Sequence, residues 1–215
     1  WLCSLALIVA VSFGTSSAMA QSASRPPARI LVGFSPGGTL DVVTRALADQ
    51  LQEPLHRTVV VENKPGAGGK IAVDALRAAP SDGSVAMLCP DFLQSIYPFV
   101  FDKLNYAAQR DILPASTVVE FPMALAVPAS SPVKTFAEYA PWVRAHPEHS
   151  NFGHAASGGP THFLGLQIAK VIGTPLQDVP FQGAAPMIVN LVGGNVAAGS
   201  STVGDFAPHH NAGKL

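Results

Sequence analysis

Charge of either sign is scarce in this chain. Among 215 residues, 13 are basic and 14 acidic, a charged fraction of 13%. That leaves no basic stripe for nucleic acid and no polybasic patch for a membrane surface. Cysteine is scarcer still. Of the two present, Cys3 lies in an apolar leader with no lipobox before it, and Cys89 is left alone, so no internal disulfide is expected. Cys89 follows the strand-like run Val85–Leu88 and reads as a half-buried thiol, not a nucleophile. No apolar run reaches the roughly 20 residues that a membrane-spanning helix needs. Seven histidines are present. Yet His146 with His149, and His209 with His210, form no helical ligand pair with a third partner, so no metal site is expected.

What the chain does have, first, is a targeting segment. Leu5–Val11 is apolar, Ser12–Ser17 is small and polar, and Ala18-Met19-Ala20 has the A-x-A form of a signal-peptidase site. Residues 1–20 are therefore expected to be a signal peptide cleaved after Ala20. Neither an initiator Met nor a basic n-region precedes Trp1, so that peptide is expected to be incomplete at its start.

Glycine and proline each occur 19 times, a compact, loop-rich composition. The glycine turns fall at informative places. GFSPGGTLD, Gly33–Asp41, follows the apolar run Ile30–Val32 and opens a helical stripe of Leu40, Val43, Leu47 and Leu51. A strand, a glycine turn and a helix start leave backbone N–H groups unpaired at the positive end of the helix dipole, where a small anion can bind. Thr39 is expected to cap this helix and Asp41 to sit in its first turn. The pattern then repeats, with strands Thr58–Val61 and Val85–Leu88 and helices Thr39–Leu51 and Gly69–Ala79. Such alternation predicts βαβ units and a largely parallel sheet.

Nucleotide motifs fail on inspection. In ENKPGAGGK, Glu62–Lys70, a phosphate loop would need Gly at Lys64 and Ser or Thr at Ile71, and a dinucleotide fingerprint would need Gly or Ala at Ile71. No nucleotide, cofactor or metal is expected.

Asp91–Asp111 reads as irregular and aromatic-rich, and Ile112–Val127 as the crossing into a second lobe. There, strand Ala124–Val127 precedes helix Thr135–Ala145, in which Pro141 is expected to kink the helix or start its second half. NFGHAASGGPTHF, Asn151–Phe163, reads as a second small-residue loop leading into helix Thr161–Ile172, with no suitable strand before it. Val179–Phe181 is a short strand, Pro186–Val192 a helix ended by Gly193-Gly194, and no element is expected after Asn195. Ser157 within A-A-S-G-G is a near miss for a nucleophile elbow, with His162 as a partner on paper.

Taken in order, VGFSPGGTLDVVTRALADQL, VVVENKPGAGGKIA, AAPSDGSVAML, PVKTFAEY…HPE, NFGHAASGGPTHF and VPFQGAAPMIVNLVGGNV resemble the tripartite tricarboxylate transporter receptors, also called Bug-type periplasmic solute-binding proteins. The resemblance runs from Pro27 to Leu215. It implies an α/β, bilobal periplasmic-binding-protein-like fold, with two α/β domains around a ligand cleft, over residues 27–117 and 118–215. It also implies that the family's C-terminal part, which returns to complete the first lobe, is missing after Leu215.

In such receptors two loops grip a small carboxylate from opposite lobes, largely with backbone amides. By position these are Phe34, Pro36, Gly37, Gly38, Thr39 and Asp41 in the first lobe, and Ser157, Gly158, Gly159 and Thr161 in the second. Gln182, Gly183 and Ala184 match a third cleft-lining segment. One departure is Ala197, where many members carry an acidic residue, with the small run Gly199–Thr202 after it.

The expected function is that of a monomeric, non-enzymatic receptor in the periplasm that delivers a small organic carboxylate to the membrane subunits of a tripartite transporter. The competing readings are a ligand-sensing receptor feeding a signalling partner, and a serine hydrolase using Ser157 and His162.

Overall fold

The structure, a computed structural model, describes residues 25–215, so the expected signal peptide and its cleavage point lie outside the described residues. The chain builds two sheets. In the first, β1 (Ala28–Val32) lies between β2 (Val59–Asn63) and β3 (Val85–Leu88), all parallel. β1 reads ARILV with four of its five residues buried, as a central parallel strand covered on both faces should. One face is closed by α1 (Thr39–Leu55), whose Ala48 meets Ala28, Ile30 and Val59. The other is closed by α2 (Lys70–Arg77) and three short helices, α3 (Phe92–Ser95), α4 (Tyr97–Val100) and α5 (Ala108–Asp111). Phe34, Val73, Phe92, Leu93 and Tyr97 form the core there. The aromatic stretch that reads as irregular thus folds into single helical turns that bury Phe92 and Tyr97 and leave Phe99 exposed.

Residues 113–120 are exposed and irregular, and carry the chain to the second sheet. This comprises β4 (Met123–Ala126), β5 (Asn151–His154), β6 (Gln177–Pro180) and β7 (Ala198–Thr202), in the order β4-β7-β5-β6. Only β4 runs antiparallel to its neighbour. α6 (Phe136–Ala145) and α7 (Pro160–Ile172) cover one face through Tyr139, Val143, Phe152, Ile168 and Ile172. α8 (Ala184–Val192) and α9 (Val203–Asn211) cover the other through Met187, Ile188, Leu191 and Phe206. Full burial of such side chains contributes about 1.5–3 kcal/mol each.

Three expectations are corrected. A strand does precede the second glycine loop: β5 pairs with both β6 and β7. The stretch after Asn195 is not featureless, since β7 is an inner strand of the second sheet and α9 follows it. Pro141 does not start a second half of α6, which is one helix running from a full capping box: Thr135 Oγ1 accepts the Glu138 N–H and Glu138 Oε2 accepts the Thr135 N–H. Among the described residues no helix is long and apolar enough to cross a membrane.

Candidate functional site

β1 delivers the chain into Ser35–Gly38, and Gly38 becomes the N-cap of α1 without a side-chain capping bond. Thr39, expected as the cap, is instead the first helical residue. Its N–H and its hydroxyl both donate to Asp205 Oδ1 at 2.7 Å, and its Oγ1 lies 2.9 Å from Thr202 Oγ1. The first amide of α1 is therefore held by a carboxylate from the second sheet's layer. Asp205 is also the third residue of α9 and closes that helix's capping box with Thr202. One side chain thus serves two helix starts.

Gly37 takes φ +87° and donates its N–H to Asp41 Oδ2 at 3.0 Å. Asp41 is 4% exposed and also accepts from Arg45 Nε and Nη2 and from Asn63 Nδ2. Burial raises its pKa, but these hydrogen bonds and the Arg45 charge outweigh burial and hold the carboxyl below its ordinary value. Asp41 is thus committed to shaping the loop, and the Gly37 amide is committed to Asp41. The amides of Gly38 and Leu40 have no partner among the described residues. Pro36 and Gly37 are exposed, whereas Phe34 is buried in the core.

The third segment reaches the first directly. Ser35 donates both its N–H and its hydroxyl to the Gln182 carbonyl, at 3.3 and 2.7 Å. Gly183, the N-cap of α8, has φ +124°, and a Cβ there would lie 3.1 Å from Ser35 N. Ala184 follows it, with its Cβ 3.7 Å from where a Gly38 Cβ would stand.

The second loop, residues 155–159, enters α7 through Gly159 as N-cap and Pro160 at the first helical position. Gly158 donates its N–H to His162 Nδ1 at 3.1 Å. Thr161 is buried, and its carbonyl accepts the Ser200 hydroxyl at 2.7 Å. The amides of Thr161 and His162 have no partner among the described residues. Ser157 is exposed, and its carbonyl lies 3.1 Å from the Tyr97 hydroxyl, which stands equally close to the Gly68 carbonyl.

An aromatic seam joins the two loops: Phe34 to Phe92, Phe92 to Tyr97 and Tyr97 to Phe101, at 6.3, 5.2 and 4.8 Å between ring centroids. Gly159 abuts Phe92 and Gly158 abuts Phe101. Lys70 Nζ lies 3.7 Å from the Phe101 ring centroid, which puts a cation beside the second loop. All three expected segments therefore belong to one region between the sheets. A separate concavity of about 330 Å³, lined by Asp91, Gln94, Ser95, Gln109 and Pro114, includes none of the expected residues.

The sequence did not point to Asp205, Tyr97 or Lys70. Lys70 carried a signal, since it follows Gly68-Gly69 at a helix start. Asp205 carried none, because its partner Thr39 is 166 residues away.

The hydrolase reading does not survive. His162 Nδ1 is occupied by the Gly158 amide and its Nε2 faces Asp178, while Ser157 makes no hydrogen bond to His162. Cys89 is no nucleophile either: burial, with the nearby Asp91 charge, pushes its thiol up to about 11.

Residues 43–215 match the sequence family described as the tripartite tricarboxylate transporter family receptor. Among curated relatives, the UPF0065 protein in the gbd 5' region of Cupriavidus necator is 30% identical over 213 residues, 98% of this chain and 64% of its own length. Among solved structures, the periplasmic binding protein BugD superposes with TM-score 0.82 at 28% identity, over 87% of this chain and 62% of its own. Two proteins of Rhodopseudomonas palustris are similar as well. MatC with bound malate gives TM-score 0.80 at 26% identity, over 87% of this chain and 64% of its own. Rpa4515 with adipate gives 0.82 at 26%, over 88% and 64%. The chain thus spans somewhat less than two thirds of the length of these relatives.

Proposed function

The chain belongs to the tripartite tricarboxylate transporter receptor family, and from that premise we propose that it is a periplasmic receptor which binds a small organic carboxylate between two lobes. It then hands that ligand to the membrane subunits of a tripartite transporter, acting as a monomer and carrying out no chemistry on it. The observation that carries this reading is the placement of the starts of α1 and α7 along the same aromatic residues. Two helix starts from two different sheets, both entered through glycine turns, meet one aromatic seam.

An amide-lined helix start neutralises a carboxylate without a fixed cationic partner. Such a site can release its ligand to a transporter, since no buried ion pair has to be broken. Gly38 and Leu40 on one side, with Thr161 and His162 on the other, are the amides assigned to that task. Lys70 adds long-range attraction for an anion. Malate and adipate, the ligands of two neighbours, are both dicarboxylates, and a two-sided site with an amide cluster on each wall suits a ligand with an anionic group at each end.

The lobes would interconvert between open and closed forms. Ligand stabilises the closed one only by its differential affinity. Titration calorimetry with malate and adipate tests the reading; stoichiometric binding with no product formed supports it, and turnover of either would refute it.

A further inference from the structure

We propose that His154, His162 and Asp178 form a binding site for a divalent transition-metal ion of the zinc type, set behind the second glycine loop and built from side chains, whereas the carboxylate site uses backbone amides. The three come from β5, α7 and β6, and one donor atom from each lies within 4.8 Å of the others. Two imidazoles and one carboxylate are a donor set that suits Zn²⁺, Co²⁺, Ni²⁺ or Cu²⁺ and discriminates against Ca²⁺ and Mg²⁺.

Three observations point to an ion. His154 is fully buried, and its ring relies on Asp178 and the Ala156 backbone for polar partners. A buried imidazole needs such partners. Its Nε2 meets Asp178 Oδ1. A divalent cation takes the place of the proton that these two atoms otherwise share. His162 stacks on His154 with ring centroids 4.8 Å apart, and brings its Nε2 to 3.7 Å from the same Asp178 oxygen.

A fourth coordination position is also available. His162 and Asp178 line a cavity of about 20 Å³ walled by Phe152, Leu166, Ala169 and Leu176, room for one water. Three protein ligands and one water make a complete tetrahedral shell. The Asp178 side chain is 44% exposed and gives an ion its way in.

Loading has a consequence for the loop. Gly158 donates to His162 Nδ1, so without an ion the ring's proton sits on Nε2. An ion at Nε2 displaces that proton, and a neutral ring then carries its proton on Nδ1, facing the Gly158 N–H. The Gly158 amide must turn away, so ion occupancy and loop geometry are linked.

The test is a titration of the metal-free, tag-free chain with Co²⁺, whose visible d–d absorption reports coordination number, followed by competition with Zn²⁺. No carboxylate is added, so the result is independent of the receptor reading. The expected result is one ion per chain with four-coordinate absorption, bound at least about tenfold more weakly in Asp178→Ala and His162→Leu. Asp178 is partly exposed, so its variant should keep the fold, which circular dichroism would verify. Absence of uptake would overturn the proposal and leave a His–Asp–His hydrogen-bond relay. So would uptake unchanged in both variants, or abolished instead by His146→Ala with His149→Ala or by His209→Ala with His210→Ala.

Discussion

The Asp205 carboxylate accepts the backbone N–H of Thr39 at 2.7 Å, which ties the first residue of α1 to the first turn of α9. The same carboxylate takes the Ser201 and Thr202 hydroxyls and the Thr202 N–H through its other oxygen. Every donor around it is thereby matched, and the two sheets are pinned at the edge of the candidate site. Asp205→Ala should cost roughly 2–3 kcal/mol, from the lost cap and the charge-assisted bonds. Urea unfolding measures this, and a loss below about 0.5 kcal/mol would mean that the pin contributes little.

Asp41 sets a pH dependence whose sign is fixed. Its folded pKa is depressed, so its contribution to stability is present above the unfolded value of about 3.9 and is lost as pH falls through the lower folded value. Asp41→Asn should therefore be clearly less stable than wild type near neutrality, and the two should converge in acid. Unfolding curves across this range check it; a gap that widened on acidification would reverse the assignment.

Gly183 and Gly38 should respond unequally to the same methyl group. At Gly183, φ +124° and a Cβ 3.1 Å from Ser35 N put Gly183→Ala at roughly 1–3 kcal/mol of destabilisation. At Gly38, φ is −81° and nothing lies nearer a Cβ than 3.7 Å, so Gly38→Ala should stay within about 0.5 kcal/mol. Equal effects in thermal unfolding would mean that the loop geometry is misassigned.

Tyr97→Phe removes the hydroxyl that stands between the Gly68 and Ser157 carbonyls and keeps the buried ring. About 1 kcal/mol should be lost, with faster amide exchange in residues 155–159. Unchanged exchange there would show that the second loop is held by other contacts.

The first sheet was legible because its apolar periodicity is strong: β3 runs over the expected Val85–Leu88, and the expected helix Thr39–Leu51 forms the body of α1. The inner strand β7 was not. Apart from Thr202, AGSST lacks the branched and aromatic residues that mark a strand, and its small side chains are demanded by neighbours: a Cβ at Gly199 would lie 2.7 Å from Met187 Sδ. β5 was hidden likewise, its NFGH being shaped by tertiary packing of Phe152 beneath α7. At the candidate site the glycine turns were readable from local chemistry. Their occupants, Asp41 on Gly37 and Asp205 on Thr39, were not, because which carboxylate satisfies an amide depends on the folded arrangement.

The central claim, carboxylate capture by amides at the start of α1, is tested most directly by the melting point with malate or adipate, set against their uncharged diamides, in wild type and in Gly38→Val. Ligand that binds only the native state raises the melting point, by about 2.7 kcal/mol of stabilisation at a hundredfold excess over the dissociation constant. A rise is expected with a dicarboxylate, none with its diamide, and loss of the rise in Gly38→Val, whose fold is otherwise retained. A rise shared by the diamide, or one that persists undiminished in Gly38→Val, would contradict it.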